Sequence, residues 1–142
     1  MDLRRFEKMP PVGAAMTPFP YFAEESESLD AVAALMAEHA IHHVPVVRDG
    51  KVVGMISEKE IRVHRATSGA CARDVLVPDP YVVEMHTPLA DVVSAMAERR
   101  DGSAIVVKKG KLAGILSITD VCRVLATILR ERFEPGDGDD AA

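Results

Sequence analysis

Apolar residues along this chain fall into two alternating rhythms. Leu29, Val32 and Met36, and later Leu89, Val92, Val93 and Met96, recur at steps of three and four. That is the period of one helix face. Each helical stretch is followed by β-branched runs, "HVPVVRDGKVVGMIS" and "AIVVKKGKLAGILS". They flank Asp49-Gly50 and Lys109-Gly110, which predicts two hairpins whose turns use the positive φ that Gly tolerates. Short extended pieces, "PYFAE" and "PYVVE", precede the helices, and Thr87 is expected to N-cap the later one, with Pro88 in its first turn. After Ser57 and Ser117 a second helix begins, in the later case "ITDVCRVLATILRERF", apolar on a broad face.

The rhythms are two copies of one pattern. Sliding the chain over itself by 60 lays Met16–Thr67 on Leu76–Thr127 without a gap, and 17 of 52 pairs are identical. The unit reads strand, helix, strand, strand, helix. A half of roughly 55 residues is marginal alone. The expected fold is therefore α/β (α+β): two β-α-β-β-α repeats packed face to face about a pseudo-two-fold axis, with two equivalent clefts between them. The divisions are an N-terminal segment over 1–11, repeats over 12–67 and 68–132, and an acidic tail over 133–142, expected to be disordered.

Composition narrows the function. Of the 142 residues, 48% are apolar but only 4% aromatic, so aliphatic side chains must fill the core. The net charge of −5 argues against nonspecific nucleic-acid binding, which needs a basic face, though a local basic pocket stays compatible. Two cysteines do not make a disulfide framework and read as reduced thiols. With no signal-peptide pattern and no membrane-length apolar run, the expectation is a cytoplasmic protein without a membrane partner.

Ser57-x-x-Glu60 and Ser117-x-x-Asp120 each lie where a strand gives way to a helix. One reading is a capping box, with Ser bonding the N3 amide and the acid reaching back; Glu suits it better than the shorter Asp. The other is a nucleotide site. A helix N-terminus attracts phosphate, Ser117 and Thr119 add hydroxyl donors, and a carboxylate can accept two hydrogen bonds from a ribose diol. On that reading only the second copy keeps the acid suited to ribose.

The repeated unit resembles a CBS domain, and the chain a tandem CBS pair, or Bateman module. The likeness covers roughly Val12 to Arg132 and rests on "AAMTPFPYF", "AIHHVPVV", "DGKVVGMIS", "ARDVLVPDPYVV" and "KGKLAGILSITD" in that order. It implies homodimers of pairs and regulation of another protein rather than catalysis. It also implies an adenine nucleotide (AMP, ADP or ATP, less readily S-adenosylmethionine or NAD) in a cleft between halves, and no required cofactor. "GILSITD" is similar to nucleotide-binding segments of the AMP-activated kinase gamma subunit. By that likeness Asp120 holds the ribose, Ser117 and Thr119 contact ribose or phosphate, Thr17 lies near phosphate, Phe22 beside the base, and Ile41, His42 and His43 line the adenine. A second cleft would use Ser57, Lys59, Glu60, Val77, Val82, Gly102 and Ser103. There Glu60 replaces the aspartate and Val77 lacks the hydroxyl of Thr17, so weak or no nucleotide binding is expected.

Other constellations are weaker. His39 and His43 have the i, i+4 spacing of a helical metal pair, but the helix should end near Ala40 and no nearby ligand completes a set. His39 is expected to be exposed, with His42 and His43 at the strand start, where protonation could tune affinity. Arg99, Arg100, Lys108, Lys109 and Lys111 read as a solvated face or as an attraction for phosphate. Arg4, Arg5 and Lys8 could pack on the module or reach a neighbouring subunit. "VCRVLATIL" reads as core and dimer face, with Cys122 a small buried residue. No nucleophile–base pair stands out. The alternative to a nucleotide-binding regulator is a ligand-independent dimeric scaffold; an enzyme or metal protein comes third.

Overall fold

The structure, a computed structural model, describes residues 8–64, 66 and 69–134. Arg4, Arg5, the nominal repeat boundary at 67–68 and the tail beyond Glu134 lie outside the described residues.

The first half carries β1 (Thr17–Pro18), β2 (Ala23–Glu24), α1 (Leu29–His39), β3 (His43–Arg48), β4 (Lys51–Ser57) and α2 (Glu58–His64). The second carries α3 (Ala72–Val75), β5 (Val82–Glu84), α4 (Leu89–Arg99), β6 (Ser103–Lys108), β7 (Lys111–Ser117) and α5 (Ile118–Phe133). A 3-10 turn over Val12–Ala14 is the first-half counterpart of α3. Both hairpin turns have positive φ at their two central residues, Asp49 (51°) with Gly50 (80°) and Lys109 (52°) with Gly110 (78°). Tightly twisted two-residue hairpins require this. Ser28 caps α1 by accepting from the Ala31 amide at 3.1 Å. Its counterpart Pro88, rather than Thr87, holds the N-cap position of α4 and can supply no side-chain bond. The expected Thr87 cap is corrected accordingly.

The halves exchange their leading segments. β2, β3 and β4 form one sheet, while β5, β6 and β7 form the other, which β1 of the first half joins antiparallel to β7. Val77 repays the exchange through paired backbone bonds to Met55 on β4. Val12 and Ala15 are buried in the second-half core with Val92, Met96, Val106 and Leu116. Ala70, Ala72 and Val75 are buried in the first-half core with Val32, Met36, Val44 and Ile56.

The exchange explains the repeated glycines. A Cβ on Gly114 would lie 2.9 Å from the Thr17 carbonyl oxygen, and one on Gly54 would lie 2.8 Å from that of Val77. Only a residue without a side chain lets the crossing segment approach so closely. The repeated tyrosines are also accounted for. Tyr21 stacks on His39 with ring centroids 3.7 Å apart. The Arg99 guanidinium sits 4.9 Å over the Tyr81 ring. His39 is therefore half-buried against an aromatic ring, not free in solvent as expected.

Candidate functional site

β4 and β7 lie against each other where the halves meet. Beside them is a cavity of about 440 Å³. Its floor comes from the end of β7 and the first turn of α5: Ile115, Ser117, Ile118, Thr119 and Asp120. One wall is Thr17 of β1, brought there by the crossing of the leading segment. The other is Ile41, His42 and His43, where the chain leaves α1 and enters β3. Seven of the eight residues expected in the main cleft thus meet around one hollow.

Phe22 does not join them. It lines a separate cavity of about 490 Å³ with Phe19, Pro20, Lys111 and Leu112. It directly precedes Ala23, whose side chain is fully buried in the first-half core, and successive strand residues point to opposite faces.

Asp120 is the buried charged residue of the site, with 6% of its surface exposed. A buried carboxylate needs hydrogen-bond donors. Oδ2 accepts from the Ser117 amide at 2.8 Å and from Ser117 Oγ at 3.0 Å. Ser117 Oγ in turn accepts from the Asp120 amide at 3.2 Å, completing a capping box. Oδ1 accepts from Thr17 Oγ1 at 3.1 Å, across the junction between halves. One carboxylate oxygen therefore caps the start of the helix, and the other faces Thr17, which also lines the cavity.

Glu60 behaves differently. It accepts from the Ser57 amide at 2.7 Å and from Ser57 Oγ. No bond from its own amide to Ser57 Oγ is present among the described residues. The expectation that Glu makes the better box is thus reversed, because the shorter aspartate leaves Ser117 Oγ placed to accept from the helix. Near the second set, Val77 is paired to Met55 and cannot reproduce the Thr17 hydroxyl bond. Ser103 is buried, and Val82 and Lys59 are exposed. Gly102 belongs to the first cavity instead.

His42 and His43 lie where the chain enters β3, on the wall of the cavity. His42 Nδ1 donates to Glu58 Oε1 at 2.7 Å. His43 packs on Gly102, where a Cβ would lie 3.1 Å from Nε2. Burial holds the His43 imidazole below its ordinary range; the nearby His42 pushes the same way, and Glu60 and Glu58 oppose it.

Sequence reasoning missed Arg123, which also lines the cavity, with Nη1 3.7 Å from Asp120 Oδ1. The available signal was its i+3 spacing from Asp120 on one helix. None of Arg99, Arg100, Lys108, Lys109 or Lys111 lines this cavity. Cys122 is exposed rather than buried, because the helix turns Val121 and Val124 inward instead. Among the described residues no three His, Cys, Asp or Glu side chains come together as a metal site. No described helix is long and apolar enough to cross a membrane.

Two intertwined α+β halves enclosing a polar-floored cleft at their junction define a paired-repeat module. Residues 12–66 and 72–127 each match the CBS domain. The chain belongs to the CBS-domain family, as a tandem pair. It is 32% identical over 120 residues to a zinc metalloprotease of Methanocaldococcus jannaschii, covering 84% of this chain but only 33% of that protein. Among solved structures it is similar to the CBS-pair protein CBSX2 of Arabidopsis thaliana in complex with AMP. There the identity is 29% and the TM-score 0.75, covering 85% of this chain and 99% of that one. It is also similar to the CBS domain of a bacterial CNNM/CorC family Mg²⁺ transporter in complex with ATP, at 26% identity and TM-score 0.74, covering 82% and 87%.

Proposed function

We propose that this protein is a regulatory CBS pair that binds an adenine nucleotide (AMP, ADP or ATP) in the cleft between its halves. The reading rests chiefly on Asp120, buried and bonded both to the first turn of α5 and to Thr17 of the crossing strand. A ribose diol can take up the Oδ1 lone pairs that Thr17 now occupies in part. The aliphatic faces of Ile41 and Ile115 suit a base, and hydroxyls at Ser117 and Thr119 suit the sugar–phosphate end. The AMP complex of CBSX2 and the ATP complex of the transporter domain support this ligand class. A ligand touching both walls favours one arrangement of the halves, and a partner protein would read that arrangement; only differential affinity can drive such a shift.

Titration calorimetry with AMP, ADP, ATP, NAD and S-adenosylmethionine tests the reading. One adenine nucleotide is expected to bind per chain, and Asp120→Ala to weaken it by roughly 1.5–3 kcal/mol, the worth of a hydrogen bond to a charged group. Silence across the panel, or unchanged affinity in the variant, overturns it. The apolar residues left exposed on α5, Leu125, Ile128 and Leu129, favour a second reading, a homodimer acting as a scaffold without ligand.

A further inference from the structure

Among the described residues Arg123 is the one permanently ionised base on the wall of the cavity; the other cationic candidates there are imidazoles. Its side chain is 73% exposed and lies one turn beyond Asp120. The 3.7 Å separation from Oδ1 exceeds hydrogen-bond distance, and the carboxylate is already supplied with donors by Thr17 and Ser117. Among the described residues the guanidinium makes no hydrogen bond, so its planar set of donors is available at the mouth of the hollow. Its counterpart sixty residues earlier is Val63, so the first repeat carries no cation at this place.

We propose that Arg123 is the specificity-determining residue that makes this cleft prefer a nucleoside 5′-phosphate to the bare nucleoside, by pairing with the phosphate. The inference rests on the nucleotide reading given above. A 5′-phosphate is tied to its ribose through one carbon, so with the ribose on Asp120 it has Arg123 and the Thr119 hydroxyl within reach, since all three residues line the same hollow. Arginine matches phosphate oxygens two at a time, which adds geometric selectivity to the attraction of opposite charges.

The test is calorimetry of the full chain with AMP and with adenosine, on the wild type, Arg123→Ala and Arg123→Lys. The wild type is expected to bind AMP more tightly than adenosine. Arg123→Ala should shrink that ratio by about tenfold or more, and Arg123→Lys should retain part of it. A role exerted only through Asp120 would move both ligands together and leave the ratio intact. That result overturns the inference, as does a wild type that binds the two ligands equally; in both cases the nucleotide reading stands. A wild type that binds neither ligand defeats that reading, and this inference with it. Circular dichroism checks the fold, and Arg123→Gln, which keeps a long polar stem, serves if the alanine variant fails to fold.

Discussion

Thr17 and Asp120 stand 103 residues apart in the chain, yet Thr17 Oγ1 donates to Asp120 Oδ1 at 3.1 Å. The bond ties the crossing strand β1, which is paired with β7, to the first turn of the helix that follows β7. Replacing Thr17 by Val, the residue at the matching position 77, keeps the shape and removes the donor. Urea denaturation is expected to show a loss of about 0.5–1.5 kcal/mol, with AMP affinity reduced as well. A variant as stable as the wild type would mean that the bond holds nothing together.

The same comparison explains the expected silence of the second cleft. Glu60→Asp alone should leave one binding site per chain, because Val77 still offers no hydroxyl. Glu60→Asp combined with Val77→Thr restores both parts and should raise the calorimetric stoichiometry from one towards two. A second site in the single variant would show that acid length alone decides.

Gly114→Ala should destabilise the pair by about 1–3 kcal/mol, the usual range for forcing atoms into filled space. The new Cβ would run into the Met16 side chain, which can shift, and into the Thr17 carbonyl of the crossing strand, which cannot swing aside. Gly50→Ala, with nothing within 4 Å of the new Cβ, meets only the strain of a positive φ. Chemical denaturation of the two variants separates steric from conformational cost.

His43 gives a pH dependence of definite sign. Its folded pKa lies below 6.5, so between the two values the unfolded chain binds a proton that the folded chain does not. Stability therefore rises with pH through that window and is lost as pH falls below about 6.5. Above it the group contributes nothing. Subtracting the stability–pH profile of His43→Gln from that of the wild type should isolate this slope, and a flat difference would contradict it.

The exposed apolar stripe on α5 can be tested directly. Leu125→Glu with Ile128→Glu is expected to leave the monomer folded and convert a dimer to monomer in light scattering. A wild type that is already monomeric at high concentration removes the scaffold reading.

Much of this was legible in the sequence because periodicity and duplication are properties of the chain itself. The sixty-residue offset paired the helices, the hairpins and the two Ser-x-x-acid segments, and the resemblance to CBS pairs pointed to eight cleft residues, of which seven line the hollow. What stayed hidden depended on three-dimensional exchange. Nothing local to Val12 says that it fills the core of the other half, and nothing in "PYF" says that Phe22 faces away from the cleft. Arg123 was masked because the duplication directs attention to shared positions, and position 63 is a valine. Cys122 was misjudged for a related reason: a helix apolar around much of its girth does not reveal which side turns inward.

The traded leaders have a consequence for dissection. Each sequence repeat, cut out at its own boundaries, would keep a plug shaped for its sibling and leave a hole where the sibling's plug belongs. Neither fragment should hold a native core by itself, whereas co-expressed fragments have every contact needed to rebuild the pair in trans. A permuted chain opened in the linker near residue 68, with the old ends joined, should fold for the same reason.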